Sequence, residues 1–226
     1  MKRIMKGPEP GVLRNWKEAN AEVPENLTYE NMPKAAAKLQ MLAEQGYICA
    51  YTMQAMQMAD DCHIEHVVPR NQPNQPLNLD IDYNNMLACF PGRKPPPGWN
   101  PKYPYGAQEK GGTQIDENNF VSPLREDVER RFLYVPDGSV EPAEGDEAAH
   151  NSIKILKLNH KQLIELRKAA IEERVLDLDV PLSVADAEAL SIEILTANST
   201  GRLSEFCLAI SQVAAWYAGR IRDVAR

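Results

Sequence analysis

A change of period along the chain limits the fold more than any other feature. From Tyr47 to about Pro123 the apolar runs are short, Tyr47 to Met53 and Ile64 to Val68, and Asn, Pro and Gly clusters separate them. After Arg125 the apolar residues recur at helical spacing. Short strands on long loops suit a small site-bearing module better than a large sheet, so the predicted class is α+β. Three segments follow: a helical stretch over 1–46, the module over 47–123, and a mainly helical region over 124–226 that packs on the module and offers a partner interface. With 226 residues the chain can bury a core without disulfide staples.

Local signals refine this outline. The Pro33–Gly46 stretch predicts a helix with proline in its first turn, a glycine stop, and Leu39 and Leu42 on its packing face. Asn159 followed by Gln162 predicts a cap for a helix presenting Leu163, Leu166 and Ala170 on one side. Ser183 with Asp186 predicts another helix start, and Glu144 to Glu147 reads as acidic charge near a helix N-terminus. The last apolar stripe, from Leu203 through Phe206, Ile210 and Trp216 to Ile221, fits either a core face or a docking helix.

Charge excludes one class of function. The net charge is 25 − 32 = −7; residues 1–114 carry 12 basic and 12 acidic side chains, so the remainder (13 against 20) holds all of it. Gripping long duplex alone through a broad basic face does not fit this balance, so work on nucleic acid must be local or shared with a partner. No apolar stretch approaches the roughly 20 residues of a membrane span, and no apolar core follows the first basic residues, so a cytoplasmic protein without a secretory leader is expected. The scattered Cys49, Cys62, Cys89 and Cys207 predict free thiols or metal ligands rather than a disulfide framework.

The densest chemistry lies in Asp61-Cys62-His63-Ile64-Glu65-His66, followed by Val67-Val68-Pro69-Arg70. A carboxylate beside a histidine suits metal-assisted phosphodiester cleavage, because a hard cation takes oxygen ligands and a neutral imidazole can take a proton from water. Taken alone, the two histidines fit equally a partly buried, satisfied pair. On a regular strand Glu65 and His66 point to opposite faces, so they meet one phosphate only where the strand ends or twists. Arg70, Arg93, Lys94, Trp99, Lys102, Tyr103, Tyr105 and Lys110 interleave basic and aromatic groups that can hold phosphates and stack on bases, or else form a rigid Pro-rich loop.

Leu42 to Tyr51, this cluster, Leu77 to Cys89 and Tyr105 to Gly112 together resemble the HNH nuclease family, closest to the PtuB-type component of Septu and retron antiphage systems. Val121-Ser122-Pro123-Leu124-Arg125 and the Ile155 to Asn159 run extend the resemblance over roughly 35–175. It implies a two-strand-plus-helix unit in which Glu65 is a ligand of Mg²⁺ or Mn²⁺, His66 the general base, and Asn85 the residue tying the loop to the base strand. His63, Asn100 and Asn118 are open as further ligands. Arg70, Lys94, Lys102 and Lys110 are the expected nucleic-acid contacts. The resemblance also implies 5′-phosphate and 3′-hydroxyl products, a PtuA-like ABC ATPase partner, and DNA as substrate, with tRNA and a retron RNA or DNA as alternatives. A non-catalytic adaptor is a further alternative. Relatives carry two Cys-x-x-Cys zinc knuckles, whereas here Thr52 and Gly92 follow Cys49 and Cys89, and Tyr105-Gly106 stands at a later Cys-Gly. Structural Zn²⁺ is therefore not expected; Cys49 and Cys89 should pack together with help from Tyr51, Phe90, Tyr103 and Tyr105.

Overall fold

The computed structural model describes residues 1–70, 72–73, 76–92 and 104–224 and has the α+β character expected. Helices α1 (Gly11–Ala19) and α2 (Lys34–Glu44) each begin directly after a proline, whose fixed φ suits a first turn. The buried face of α2 is Ala37, Met41 and Leu42, while Leu39 is 61% exposed. Leu39 stands about 200° around the helix from both Ala37 and Met41, which is why it falls outside the stripe.

Strands β1 (His63–His66) and β2 (Met86–Cys89) form an antiparallel ribbon in which His63 pairs with Cys89 and His66 with Met86. Gln45, just beyond α2, pins β2: Ala88 N donates to its Oε1 at 2.8 Å, and its Nε2 donates to the carbonyls of Ala88 and Ile48. The one-turn helix α3 (Ala107–Lys110) lies between Gly106 and Gly111, both at positive φ. Then come α4 (Val128–Arg131) and a second antiparallel ribbon of β3 (Phe132–Tyr134) and β4 (Val140–Pro142). Helices α5 (Glu147–Ile155), α6 (Lys161–Ile171) with a π-helical turn after it, α7 (Val184–Glu193) and α8 (Cys207–Val224) complete the chain.

The three predicted segments share one core. Ile4 N donates to Pro123 O at 2.9 Å, Leu203 N to Gly46 O at 2.9 Å and Phe206 N to Met53 O at 3.1 Å. Gly46 is needed for that closure: it has φ +58°, and a Cβ there would meet the Leu203 side chain at 2.6 Å. Phe206, Cys207, Ile210 and Ala214 of the last stripe are buried, and Trp216 is not.

Two caps match their signals. The Ser183 hydroxyl accepts from Asp186 N, and Asp146 accepts from Ala149 N at the start of α5, in the acidic run. Asn159 does not cap α6. That place belongs to His160, whose ring accepts from Gln162 N, while Asn159 bonds both backbone groups of Val140 on β4. The buried face of α6 is accordingly Leu163, Arg167 and Ile171, with Leu166 exposed. All four cysteines are free and buried. Among the described residues no helix is long and apolar enough to cross a membrane.

Candidate functional site

The first ribbon ends at His66, and this brings alternate-face residues to one place. Glu65 and His66 both line a cleft of about 520 Å³ that Tyr29, Arg70, Gly111 and Gly112 also border. Beyond His66 one backbone bond continues the ladder, Val67 N to Asn85 O at 2.9 Å, and the Asn85 side chain then takes over. Its Oδ1 accepts from Val68 N at 2.8 Å, and its Nδ2 donates to Val68 O at 3.0 Å and Leu79 O at 3.2 Å. Asn85 thus ties the chain leaving β1 to the chain entering β2, the structural part of its expected role.

His66 is 7% exposed. Its Nε2 lies 2.9 Å from Asp80 O. A carbonyl only accepts, so Nε2 carries the hydrogen and the neutral ring has its lone pair on Nδ1. Burial holds the His66 pKa below the usual histidine range, against a smaller opposing effect of the Asp80 bond. The ring meets Tyr29 edge-on, with centroids 5.0 Å apart, and Tyr29 N bonds the Asp80 carboxylate at 3.1 Å. Arg70 lies over the Tyr29 ring at 4.4 Å and pairs with exposed Glu30, so its guanidinium is at the cleft rim where a phosphate contact was expected.

His63 Nδ1 lies 2.6 Å from Pro91 O, which by the same argument puts the neutral ring's lone pair on Nε2. That nitrogen stands 3.9 Å from Glu65 Oε2. One divalent cation with ligand distances of about 2.0–2.2 Å spans such a gap, and magnesium needs few protein ligands because it keeps several waters. Glu65 and His63 therefore fit as a two-donor metal site, although the described residues contain no cluster of three or more His, Cys, Asp or Glu able to hold an ion. Burial pushes the Glu65 carboxyl up to about 7 even though Lys110 beside it pulls the other way.

Lys110 is the main correction to the sequence reading. It is 1% exposed and donates to Glu65 Oε1 at 2.6 Å and to His66 O at 2.9 Å, so it is a buried counter-ion rather than a surface contact for phosphate. Short α3 turns the side chain inward, a consequence of tertiary closure that loop composition does not encode. Asn118 is also displaced: it lines a separate cleft with Arg125, Asp127 and Asp146. Lys94, Lys102, Asn100, Arg93, Trp99 and Tyr103 lie outside the described residues.

A four-thiolate zinc knuckle does not fit these residues. Cys49 and Cys89 are buried side by side, and a Cβ on Gly92 would stand 1.7 Å from Asp60 O, which leaves no room for a ligand side chain there. Burial works to raise the Cys49 thiol, but hydrogen bonds involving Cys89, Thr52 and Phe90 N outweigh it and hold it at about 6. Tyr51 and Tyr105 are buried nearby, with Tyr51 edge-on to Phe120 at 5.9 Å.

Sequence reasoning missed Tyr29 and Asp80. Tyr29 comes from the N-terminal segment, and Asp80 serves the imidazole through its backbone carbonyl, which carries no signal in residue type. No protein-family model matches the chain, and none of the curated proteins matches it at a significant level.

Proposed function

We propose that the chain is a metal-dependent phosphodiesterase of the HNH type, with residues 47–123 as its nuclease module. It cleaves nucleic acid, DNA foremost, as the cytoplasmic effector of an antiphage complex with a PtuA-like ABC ATPase. One observation carries this reading: a carboxylate, an imidazole with its lone pair on Nδ1 and an arginine border one cleft at the end of a two-stranded ribbon. The cleft volume falls in the range of small-ligand sites, enough for a phosphodiester and adjoining sugar.

Glu65 Oε2 and His63 Nε2 would hold the magnesium ion, which supplies neutralisation of charge on the phosphate and leaving oxygen. His66 accepts at Nδ1 the proton of the water that attacks in line, and its depressed pKa keeps it neutral, hence basic, at pH 7. As the ring becomes imidazolium, the Nε2–H bond to Asp80 O stabilises it. Arg70, released from Glu30, holds a phosphate oxygen; Asn85 keeps both strand ends in place. The neutral front half and acidic back half support a partner that supplies most of the nucleic-acid surface.

The test is His66→Ala in the complex purified with its neighbouring ATPase, assayed on duplex DNA and tRNA. Cleavage of one substrate should fall by about 10²-fold or more with assembly intact; full residual cleavage would overturn the assignment. A non-catalytic adaptor is the second reading, favoured by the Lys110 ammonium already on Glu65. Phage protection that survives His66→Ala would select it. Truncation at residue 177 cannot locate the partner surface, because it removes Phe206, Ile210 and Val213 from the shared core. Single changes at exposed Ile192 or Trp216 can.

A further inference from the structure

We propose that Lys110 is a built-in rival of the divalent cation: its ammonium neutralises Glu65 in the metal-free chain and must yield or share that carboxylate before the site takes a metal. The inference rests on the nuclease reading of this site and adds to it a residue that sets metal affinity.

Three observations support it. The ammonium is cut off from water and is held by Glu65 Oε1 and the His66 carbonyl. A buried ammonium needs an anion, and Glu65 is the carboxylate with which Lys110 is paired. The arm that delivers it is anchored at several points. Gly106 N donates to Leu156 O at 2.7 Å, Lys110 N to Gly106 O, and Glu109 on the same turn pairs with Lys157 at 2.7 Å. The lysine is therefore built into the site rather than resting against it.

The local charge count gives the direction of the effect. With Glu65 ionised, it and Lys110 sum to zero, and with Glu65 protonated the pair is positive; His63 and His66 add nothing when neutral, so in neither state does a divalent ion arriving at Oε2 meet net negative charge. Among the described residues that border the cleft, the other charge, Arg70, is opposed by Glu30. With the ammonium removed, the same ion meets a net negative site, and in a dry setting this difference is poorly screened. Gly111 and Gly112, which border the cleft next to Lys110, leave room beside it.

The experiment titrates the full chain with MnCl₂, following heat and the metal-induced rise in melting temperature. Lys110→Gln keeps a hydrogen-bond donor for Glu65 without the charge, and it should bind Mn²⁺ about ten-fold tighter or more than wild type. Lys110→Arg keeps the charge and can engage both carboxylate oxygens, so it should bind more weakly than wild type. Glu65→Gln should remove binding in every background. Equal affinities in wild type, Lys110→Gln and Lys110→Arg, all abolished by Glu65→Gln, would overturn the rivalry and leave the metal site standing. Weaker binding in Lys110→Gln would also overturn it and make the lysine an organiser of the site. No Mn²⁺ binding in any variant would overturn the inference together with the nuclease reading beneath it. If Lys110→Gln does not fold, the arginine variant decides: an unchanged affinity there overturns the proposal.

Discussion

Among the described residues stand two antiparallel two-stranded ribbons of nearly equal length, and they use polar side chains in opposite ways. In β3–β4 the polar side chains serve the backbone. Gln212 of α8 accepts from Tyr134 N at 2.7 Å and donates to the carbonyls of Glu129 and Phe132, while Asn159 satisfies both backbone groups of Val140. In β1–β2, Gln45 and Asn85 do the same work, yet Glu65, Lys110, His63 and His66 remain as an additional set. A two-stranded ribbon is marginal alone and needs such outside partners. It does not need a buried ion pair, which is weak evidence for stability because desolvation offsets the attraction. The second ribbon has an ion pair of its own, Arg131–Asp146, but there the carboxylate also caps α5, whereas in the first Glu65 and His66 border a cleft, so they are the groups that fold stability does not explain.

Mutations can break that comparison. The largest expected effect is on activity: His66→Ala should lower cleavage by about 10²- to 10⁴-fold in a chain that still folds, with a urea midpoint lowered only by the loss of one buried ring and its bond to Asp80 O. Substantial unfolding by this variant would mean that His66 belongs to the structural set. Next, Asn85→Ala orphans Val68 N, Val68 O and Leu79 O and should cost about 2–4 kcal/mol of unfolding free energy. Gln212→Ala should cost about 1–3 kcal/mol by the same argument on the other ribbon, with Mn²⁺ binding unaltered. A change in metal affinity with Gln212→Ala would show that the ribbons are coupled.

The sequence carried one half of this picture better than the other. The position of His63, Glu65 and His66 on a short strand is readable because Ile64, Val67 and Val68 form an apolar run that turn residues bound; the other such run, Tyr47 to Met53, makes only an isolated bridge from Ile48 to Ala55, and Asn85 stands out through the resemblance alone. The ammonium on Glu65 is not readable, since Lys110 looks like any loop lysine until α3 folds inward. For the same reason Asn159 passed for a helix cap: its side chain is equally able to bond a helix start or a strand edge, and only β4, formed well upstream, decides between them. Leu39 and Leu42 show the limit of pattern alone, because two leucines on adjacent shoulders of a helix do not reveal where the neighbour lies.

The smallest effect separates the ribbons by pH. Asp146 clamps the open end of β3–β4: its carboxylate receives Arg131 Nε and Nη2, both at 2.6 Å, and Ala149 N at 2.9 Å. The Arg131 bonds hold its pKa below the ordinary aspartate value despite some desolvation. Because the folded pKa lies below the unfolded value of about 3.9, the stabilisation is complete above that value and is lost as pH falls through the folded one. Asp146→Asn keeps a helix cap and discards the charge, so it should cost about 1 kcal/mol at neutral pH. The gap from wild type should hold down to about pH 4 and close below it in urea titrations. A gap that persists at pH 2 would show that the clamp works through shape and hydrogen bonding rather than through charge, and the second ribbon would then owe nothing to electrostatics.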